Sequence, residues 1–169
     1  NVTHVSITIN AVDPEVGEKT YAWIRDNKKT LGPELGARLL LERQLSAVKG
    51  LKERGIMTKV NSILLPGIND THMEAVAQKM GELGVDIFNC MPYFPTEGSN
   101  FEHLKEPPKK LVNKIRKAAQ KYVPQMTHCK RCRADAVGLL SKDRSIELCG
   151  SMRKCAELEP KAAEDRPYV

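Results

Sequence analysis

The sequence predicts an α/β fold, with parallel strands joined by helices and a C-terminal arm that carries cysteines. Three observations predict it. Strand-like stretches, the first with a period of two, alternate with helical ones in the order β-α-α-β-α-β, and strands separated by helices pair in parallel through crossovers. The predicted strands end at Asn10, at Asn61 to Gly67 and at Asn89 to Pro95, rich in Asn, Pro and Gly. Ligands of such folds bind at the carboxyl ends of the strands. Finally, four of the five cysteines lie beyond residue 128, after the last regular helix.

The first strand is Val2 to Asn10, where Val5, Ile7 and Ile9 alternate with Ser6, Thr8 and Asn10. Its polar row is small, uncharged and hydrogen-bonding. That suits both the wall of a ligand cavity and the outer face of an edge strand. Asp13-Pro14-Glu15 opens a helix as N-cap, first position and first turn, with Trp23 and Ile24 on its later apolar face. Asn27 to Gly36 reads as a loop around Gly32-Pro33. A second helix, Leu39 to Arg54, carries the stripe Leu41, Leu45, Val48 and Leu51 and stops at Gly55.

Thr58 to Leu65 is the second strand, followed by the turn and helix cap Pro66-Gly67-Ile68-Asn69-Asp70. The helix Thr71 to Leu83 buries Met73, Val76, Met80 and Leu83, and Gly84 ends it. Asp86 to Met91 is the third strand, broken by Pro92 and Pro95. After an irregular loop, Lys109 to Tyr122 is the most regular helix. Leu111, Val112, Ile115, Ala118, Ala119 and Tyr122 form one face and Lys109, Lys110, Lys114, Arg116, Lys117 and Lys121 a solvated basic one. Beyond Gly138, Leu139 to Cys149 reads as a short strand or irregular arm, and Glu157 to Val169 as a charged tail. The expected divisions are residues 1–123, 124–150 and 151–169.

Composition bounds the function. The chain has 169 residues, 41% hydrophobic and 28% charged, and a formal net charge of +6, ordinary values for a globular protein with a real core. At 5% aromatic content a stacking platform for single-stranded nucleic acid is poorly supported. No run approaches the roughly 18 apolar residues that span a membrane. Cysteines gathered late in the chain do not read as a secreted disulfide scaffold, so a reducing cytoplasm is expected. The sequence opens on Asn1 directly in strand-like residues. It is therefore expected to be the later part of a longer polypeptide, with the upstream half as its first partner.

The arm centres on His128-Cys129-Lys130-Arg131-Cys132-Arg133-Ala134-Asp135-Ala136-Val137-Gly138. Cys129 and Cys132 are spaced to reach one metal or cluster, and the cations Lys130, Arg131 and Arg133 favour the thiolate that ligates metal. Alone, C-x-x-C fits half a zinc site, two ligands of an iron–sulfur cluster, or a redox dithiol. A basic, zinc-stapled nucleic-acid module built on Cys129, Cys132, Cys149 and Cys155 has the spacing C-x2-C-x16-C-x5-C, whose second pair is too wide for a usual knuckle. It also leaves the strand-end motifs unexplained.

Taken together, Val5-Ser6-Ile7-Thr8-Ile9-Asn10, Lys59-Val60-Asn61-Ser62 with Pro66-Gly67-Ile68-Asn69-Asp70, and Asn89-Cys90-Met91-Pro92 resemble successive barrel strands of radical S-adenosylmethionine (SAM) enzymes. An Asn-bearing strand followed by Gly-x-Asn-Asp is shared with the molybdenum-cofactor enzyme that acts on GTP. Asn10-Ala11-Val12-Asp13-Pro14-Glu15, Leu40-Leu41-Glu42-Arg43-Gln44 and Cys129-x-x-Cys132-Arg133-Ala134-Asp135-Ala136-x-Gly138 resemble the NifB family of nitrogenase cofactor maturases. The resemblance covers roughly residues 1–140.

The resemblance implies the later half of a radical-SAM (β/α) partial TIM barrel. It implies an enzyme that fuses two [4Fe–4S] clusters and inserts a SAM-derived carbon to make an eight-iron cofactor precursor. The cofactors it implies are [4Fe–4S] clusters and SAM. Cys129 and Cys132 match ligands of a substrate cluster. Ser6, Thr8, Asn10 and Asn61 match strand-end positions that hold SAM, and Met91 matches the turn beside its adenine. A scaffold or carrier protein of nitrogenase assembly is the implied partner; neither nucleic acid nor membrane is. The C-x3-C-x2-C loop that holds the family's SAM-cleaving cluster does not occur in this sequence. Cys90 reads as a small buried hydrophobe, Cys149 and Cys155 as tail cysteines. His128 reads as a ligand, a proton carrier or a packed neighbour, and Asp135 as an orienter of an arginine or a helix cap.

Overall fold

The computed structural model describes residues 2–126 and the backbone of 138–139 and 142–143. The chain separates into two compact units, Asn1–Thr127 and His128–Val169. In chain order the elements are β1 (His4–Thr8), α1 (Pro14–Thr20), β2 (Ile24–Asp26), β3 (Lys29–Leu31), α2 (Pro33–Glu53), β4 (Met57–Leu64), α3 (Met73–Glu82), β5 (Ile87–Pro92), α4 (Lys109–Ala119), β6 (Gly138–Leu139) and β7 (Lys142–Asp143).

The first unit is built on a three-stranded sheet in the order β1-β4-β5, parallel throughout, as the alternation of strands and helices requires. Alternation then assigns its faces. Ile7, Val60 and Phe88 share one level and Ser62 and Cys90 another. With Ile9 and Leu64, the apolar ones of these (Ile7, Val60, Phe88 and Cys90) meet Val48 of α2, Met73, Val76, Ala77 and Met80 of α3, and Val112, Ile115 and Ala119 of α4 in the hydrophobic core. Burying side chains of this size contributes about 1.5–3 kcal/mol each, so this helix-covered face holds the unit together. The opposite face carries Ser6, Thr8, Lys59, Asn61, Ile63, Ile87, Asn89 and Met91 in register.

The carboxyl end of α2 is held against the sheet by Asp86. Its carboxylate accepts from Lys52 Nζ at 2.6 Å and from the Thr58 amide at 2.7 Å, and the lysine holds its pKa below the usual carboxylate range. Gly55 and Gly84 take positive φ (67° and 70°) where α2 and α3 must stop, the left-handed turn that glycine adopts without strain.

The largest departure from expectation lies between α1 and α2. Trp23 and Ile24 do not extend α1. The helix ends at Thr20, whose hydroxyl donates to the Gly17 carbonyl; Tyr21 is extended, and Trp23 is 59% exposed. Ile24–Asp26 and Lys29–Leu31, the second within the stretch expected as a loop, form the antiparallel pair β2–β3, turned at Asn27 with φ of 54°. Helix α2 starts at Pro33, six residues before Leu39, because Gly32-Pro33 serves as N-cap and first position rather than as a breaker. Its first turn packs closely: a Cβ at Gly36 would lie 2.9 Å from Ile24 Cγ1, so glycine is required there.

Smaller corrections follow the same logic. Of the α2 stripe only Val48 is fully buried, with Leu41, Leu45 and Leu51 half-buried at the rim. Helix α3 begins at Met73 after His72, not at the Asp70 cap, and Leu83 caps its end half-buried. Helix α4 ends at Ala119, which leaves Tyr122 40% exposed beyond it. Pro92 does not break β5 but closes it, paired with Leu64. In the second unit β6 and β7 pair antiparallel, where a single strand or an arm was expected.

Candidate functional site

The carboxyl edge of the sheet is organised by Asn69, in the turn after β4. Gly67 takes φ of 74°, and the Ile68 and Asn69 amides both donate back to the Leu65 carbonyl. This turns the Asn69 side chain inward, where it is fully buried. Its Oδ1 accepts from the Leu65 amide at 2.8 Å, and its Nδ2 donates to the Asn10 and Ile63 carbonyls at 3.0 and 2.9 Å. One amide thus ties the end of β1, the end of β4 and the turn.

Asn10 completes the tie. Its Oδ1 accepts from the Ile63 amide at 2.9 Å and its Nδ2 donates to the Tyr21 hydroxyl at 3.3 Å. The Ser62 hydroxyl donates to the Ile9 carbonyl. The Asn10 amide is therefore occupied within the fold. Nothing in the spacing of Asn10 and Asn69 signals this, because the bonds are to backbone groups brought in from other strands.

Upstream of this clamp, Thr8, Asn61 and Asn89 stand side by side across the sheet on the face turned away from the helices. Ser6 lies two residues before Thr8, level with Lys59, and Met91 lies two beyond Asn89, level with Ile63. The face thus carries Ser6, Thr8, Asn61 and Met91, with Asn10 at its end. Asn89 Nδ2 donates to Asn61 Oδ1 at 3.2 Å, and Asn89 Oδ1 is buried without a partner among the described residues. Hydroxyls and amides with an unmet acceptor suit a polar organic ligand. Among the described residues no three His, Cys, Asp or Glu side chains converge as a metal site.

Cys90 points the other way. It is 1% exposed in the helix-side core, and burial pushes its thiol up to about 11 against the opposing pull of Arg116. The Arg116 guanidinium forks onto the Cys90 carbonyl at 3.0 and 2.8 Å. A buried neutral thiol behaves as a small hydrophobe.

His72 holds the loop after β1. Its Nε2 accepts from the Val12 amide at 3.1 Å, which requires an unprotonated ring nitrogen. Burial lowers its pKa from 6.5, with the Asp13 charge opposing. Because the folded pKa lies below the unfolded one, the unfolded chain takes up the proton first. The contribution is complete above pH 6.5 and is lost as pH falls from there through the lowered folded value. Urea unfolding at successive pH values is expected to show a steeper acid loss for the natural chain than for His72→Phe. Parallel curves would refute this role for His72.

The last described residues of the first unit also follow the sheet. The Phe88 amide donates to the Pro124 carbonyl and the Met126 amide to the Phe88 carbonyl, each at 2.8 Å, so residues 124–126 run parallel beside β5. The parallel direction leads Met126 toward the carboxyl edge. His128, Cys129, Lys130, Arg131, Cys132, Arg133, Asp135, Cys149 and Cys155 lie outside the described residues.

The described cleft of about 290 Å³ lies elsewhere, between α3 and α4, lined by Asp70, Glu74, Lys114 and Ile115 among others. Its position on the helix side separates it from the polar row.

Comparison with known proteins supplies the remaining constraint. No family model matches the chain. The FeMo cofactor biosynthesis protein NifB of Chlorobaculum tepidum is 45% identical over 168 residues, 99% of this chain and 40% of the relative. The NifB proteins of Rhodobacter capsulatus and Klebsiella pneumoniae are 44% and 40% identical over 87% and 85% of this chain, and 33% and 32% of their own lengths. The chain is similar to the C-terminal part of NifB. It spans less than half the length of these curated NifB relatives. The alignment, 45% identical over 99% of the chain, extends the NifB likeness across both the polar row and the cysteine arm.

Proposed function

We propose that this chain is the later part of a radical SAM maturase that fuses two [4Fe–4S] clusters and inserts a SAM-derived carbide, making the eight-iron precursor of the nitrogenase cofactor. The observation that carries the reading is the 45% identity to a NifB protein over 99% of the chain. The parallel β1-β4-β5 sheet with its helices on one side supports a partial barrel, since such a sheet closes by adding strands at its edges. SAM, when bound, supplies a methyl group and an adenosyl radical.

In this reading Thr8, Asn61 and Ser6 donate to and accept from the ribose and amino-acid parts of SAM, and Met91 packs against its adenine. Asn10 and Asn69 hold the strand ends that shape this wall. The residues of this sequence do not fit the cluster that cleaves SAM, since they include no C-x3-C-x2-C loop, and none is assigned to it. Cys129 and Cys132 hold a substrate cluster, whose anionic charge Lys130, Arg131 and Arg133 offset. The product passes to a scaffold or carrier protein in the cytoplasm, and an upstream half of the same polypeptide completes the barrel. Residues 1–123 form the barrel part, 124–150 the cluster arm and 151–169 a tail.

The test is anaerobic analysis of iron, acid-labile sulfide and zinc on one purified sample. Iron with matching sulfide is the expected result. Zinc without sulfide would overturn the cluster assignment of Cys129 and Cys132 in favour of a structural zinc site.

A further inference from the structure

Asn89 is 1% exposed, yet its Oδ1 has no hydrogen-bond partner among the described residues. Buried polar atoms are almost always paired, because leaving one unmet costs the folded state the hydration it gave up. The same molecule shows what a structural buried asparagine looks like: Asn69 spends its oxygen on one bond and its nitrogen on two. Asn89 makes one bond, Nδ2 to Asn61 Oδ1.

Nor does the position demand a polar residue. Its neighbours on the same face of β5 are Ile87 and Met91, and Ile63 stands on the adjacent strand. An apolar side chain at residue 89 would avoid the unmet acceptor and forgo only the bond to Asn61, level with it on β4. Among the described residues the other buried unpaired side-chain oxygen, Gln125 Oε1, is level with Phe88, one residue out of step with the row, and is not part of it.

We infer that Asn89 is a ligand-contacting residue, whose Oδ1 accepts a hydrogen bond from an N–H or O–H group of the molecule bound on this face. The bond to Asn61 fixes the division of labour. With its own Oδ1 engaged, Asn61 is left to present Nδ2 as a donor. The pair therefore offers one acceptor and one donor side by side, both uncharged, as a polar ligand with mixed groups requires. The inference rests on the SAM reading for the ligand's class, an adenosyl amino acid with an ammonium, ribose hydroxyls and an adenine amine.

The test uses the full-length polypeptide of the proposed function, upstream half included and clusters reconstituted, with SAM as the probe, measured by equilibrium dialysis, and thermal unfolding without SAM. Asn89→Leu is expected to bind SAM at least about tenfold more weakly, the loss of one buried hydrogen bond. Its ligand-free Tm is expected to hold, because the unmet acceptor is removed together with the single bond to Asn61, whose half-buried amide turns to water. Asn89→Asp, which keeps an acceptor, is expected to fall between Asn89→Leu and the natural protein in SAM affinity. Methylthioadenosine then locates the donor. A loss shared by both probes places it on the adenosine, and a loss confined to SAM places it on the amino-acid part. Undiminished SAM binding by Asn89→Leu overturns the inference, as does a fall in ligand-free Tm, which would make Asn89 a structural residue. Failure of the natural full-length protein, upstream half included, to bind SAM overturns the proposed function itself.

Discussion

Replacing Asn69 with alanine is expected to destabilise the first unit by about 3–5 kcal/mol, the upper range for a single substitution. The cause is specific. The change strands three backbone groups at once: the Leu65 amide and the carbonyls of Asn10 and Ile63. The site is fully buried, so water does not replace them at low cost. Asn69→Asp separates the contributions, since a carboxylate keeps the acceptor for Leu65 but loses both donors and turns acceptor against acceptor. It is expected to be no milder than alanine. Urea unfolding followed by far-UV circular dichroism measures both. A loss under about 1 kcal/mol for Asn69→Ala would show that the strand ends are held by something other than this amide. A double-mutant cycle with Asn10→Ala is expected to be non-additive, because both amides serve the same two strand ends.

The clamp also explains what the sequence could and could not reveal. Parallel pairing of β1, β4 and β5 was legible because Val5-Ile7-Ile9 alternates with polar residues, because Thr58 to Leu65 is strand-like, and because α3 places Met73, Val76 and Met80 at helical spacing between strands. Asp13 was legible as a cap because its signal is local, and its Oδ1 does accept from the Glu15 amide at 2.9 Å. The β2–β3 pair was not, since Ile24-Arg25-Asp26 and Lys29-Thr30-Leu31 are too short and too polar to show a period. What shapes that segment is contact: Gly36 makes room for Ile24, and Arg43 of α2 pairs with Asp26 at 3.1 Å.

The polar row was half legible. Ser6, Thr8 and Asn61 stand out as uncharged polar residues in strands. The importance of Asn89 depends on register, because only the pairing of Asn61 with Asn89 brings their amides together and leaves one oxygen unmet. A single sequence does not state register. It suggests where strands lie, and the turn after β4, which tucks Asn69 beneath Asn10, is what sets their ends.

The cysteine arm calls for the second large effect. In the cluster-loaded protein, Cys129→Ala and Cys132→Ala are each expected to lose about four irons with matching sulfide, the content of one [4Fe–4S] unit, and to abolish cofactor synthesis. Removing either thiolate leaves an iron short of a strong ligand, and alanine offers no replacement. SAM affinity is expected to survive, because the contacts proposed for SAM lie on β1, β4 and β5 rather than on the arm. That contrast is the informative part. An unfolding defect would lower SAM binding and iron together, whereas a ligand defect lowers iron alone. Reversing charge nearby, as Arg133→Glu, is expected to leave iron content largely intact while shifting the cluster's reduction potential downward, since a cation stabilises the more negative reduced cluster. Full iron, full sulfide and full activity in both cysteine variants would remove Cys129 and Cys132 from the site, and the search for ligands would pass to His128, Cys149 and Cys155.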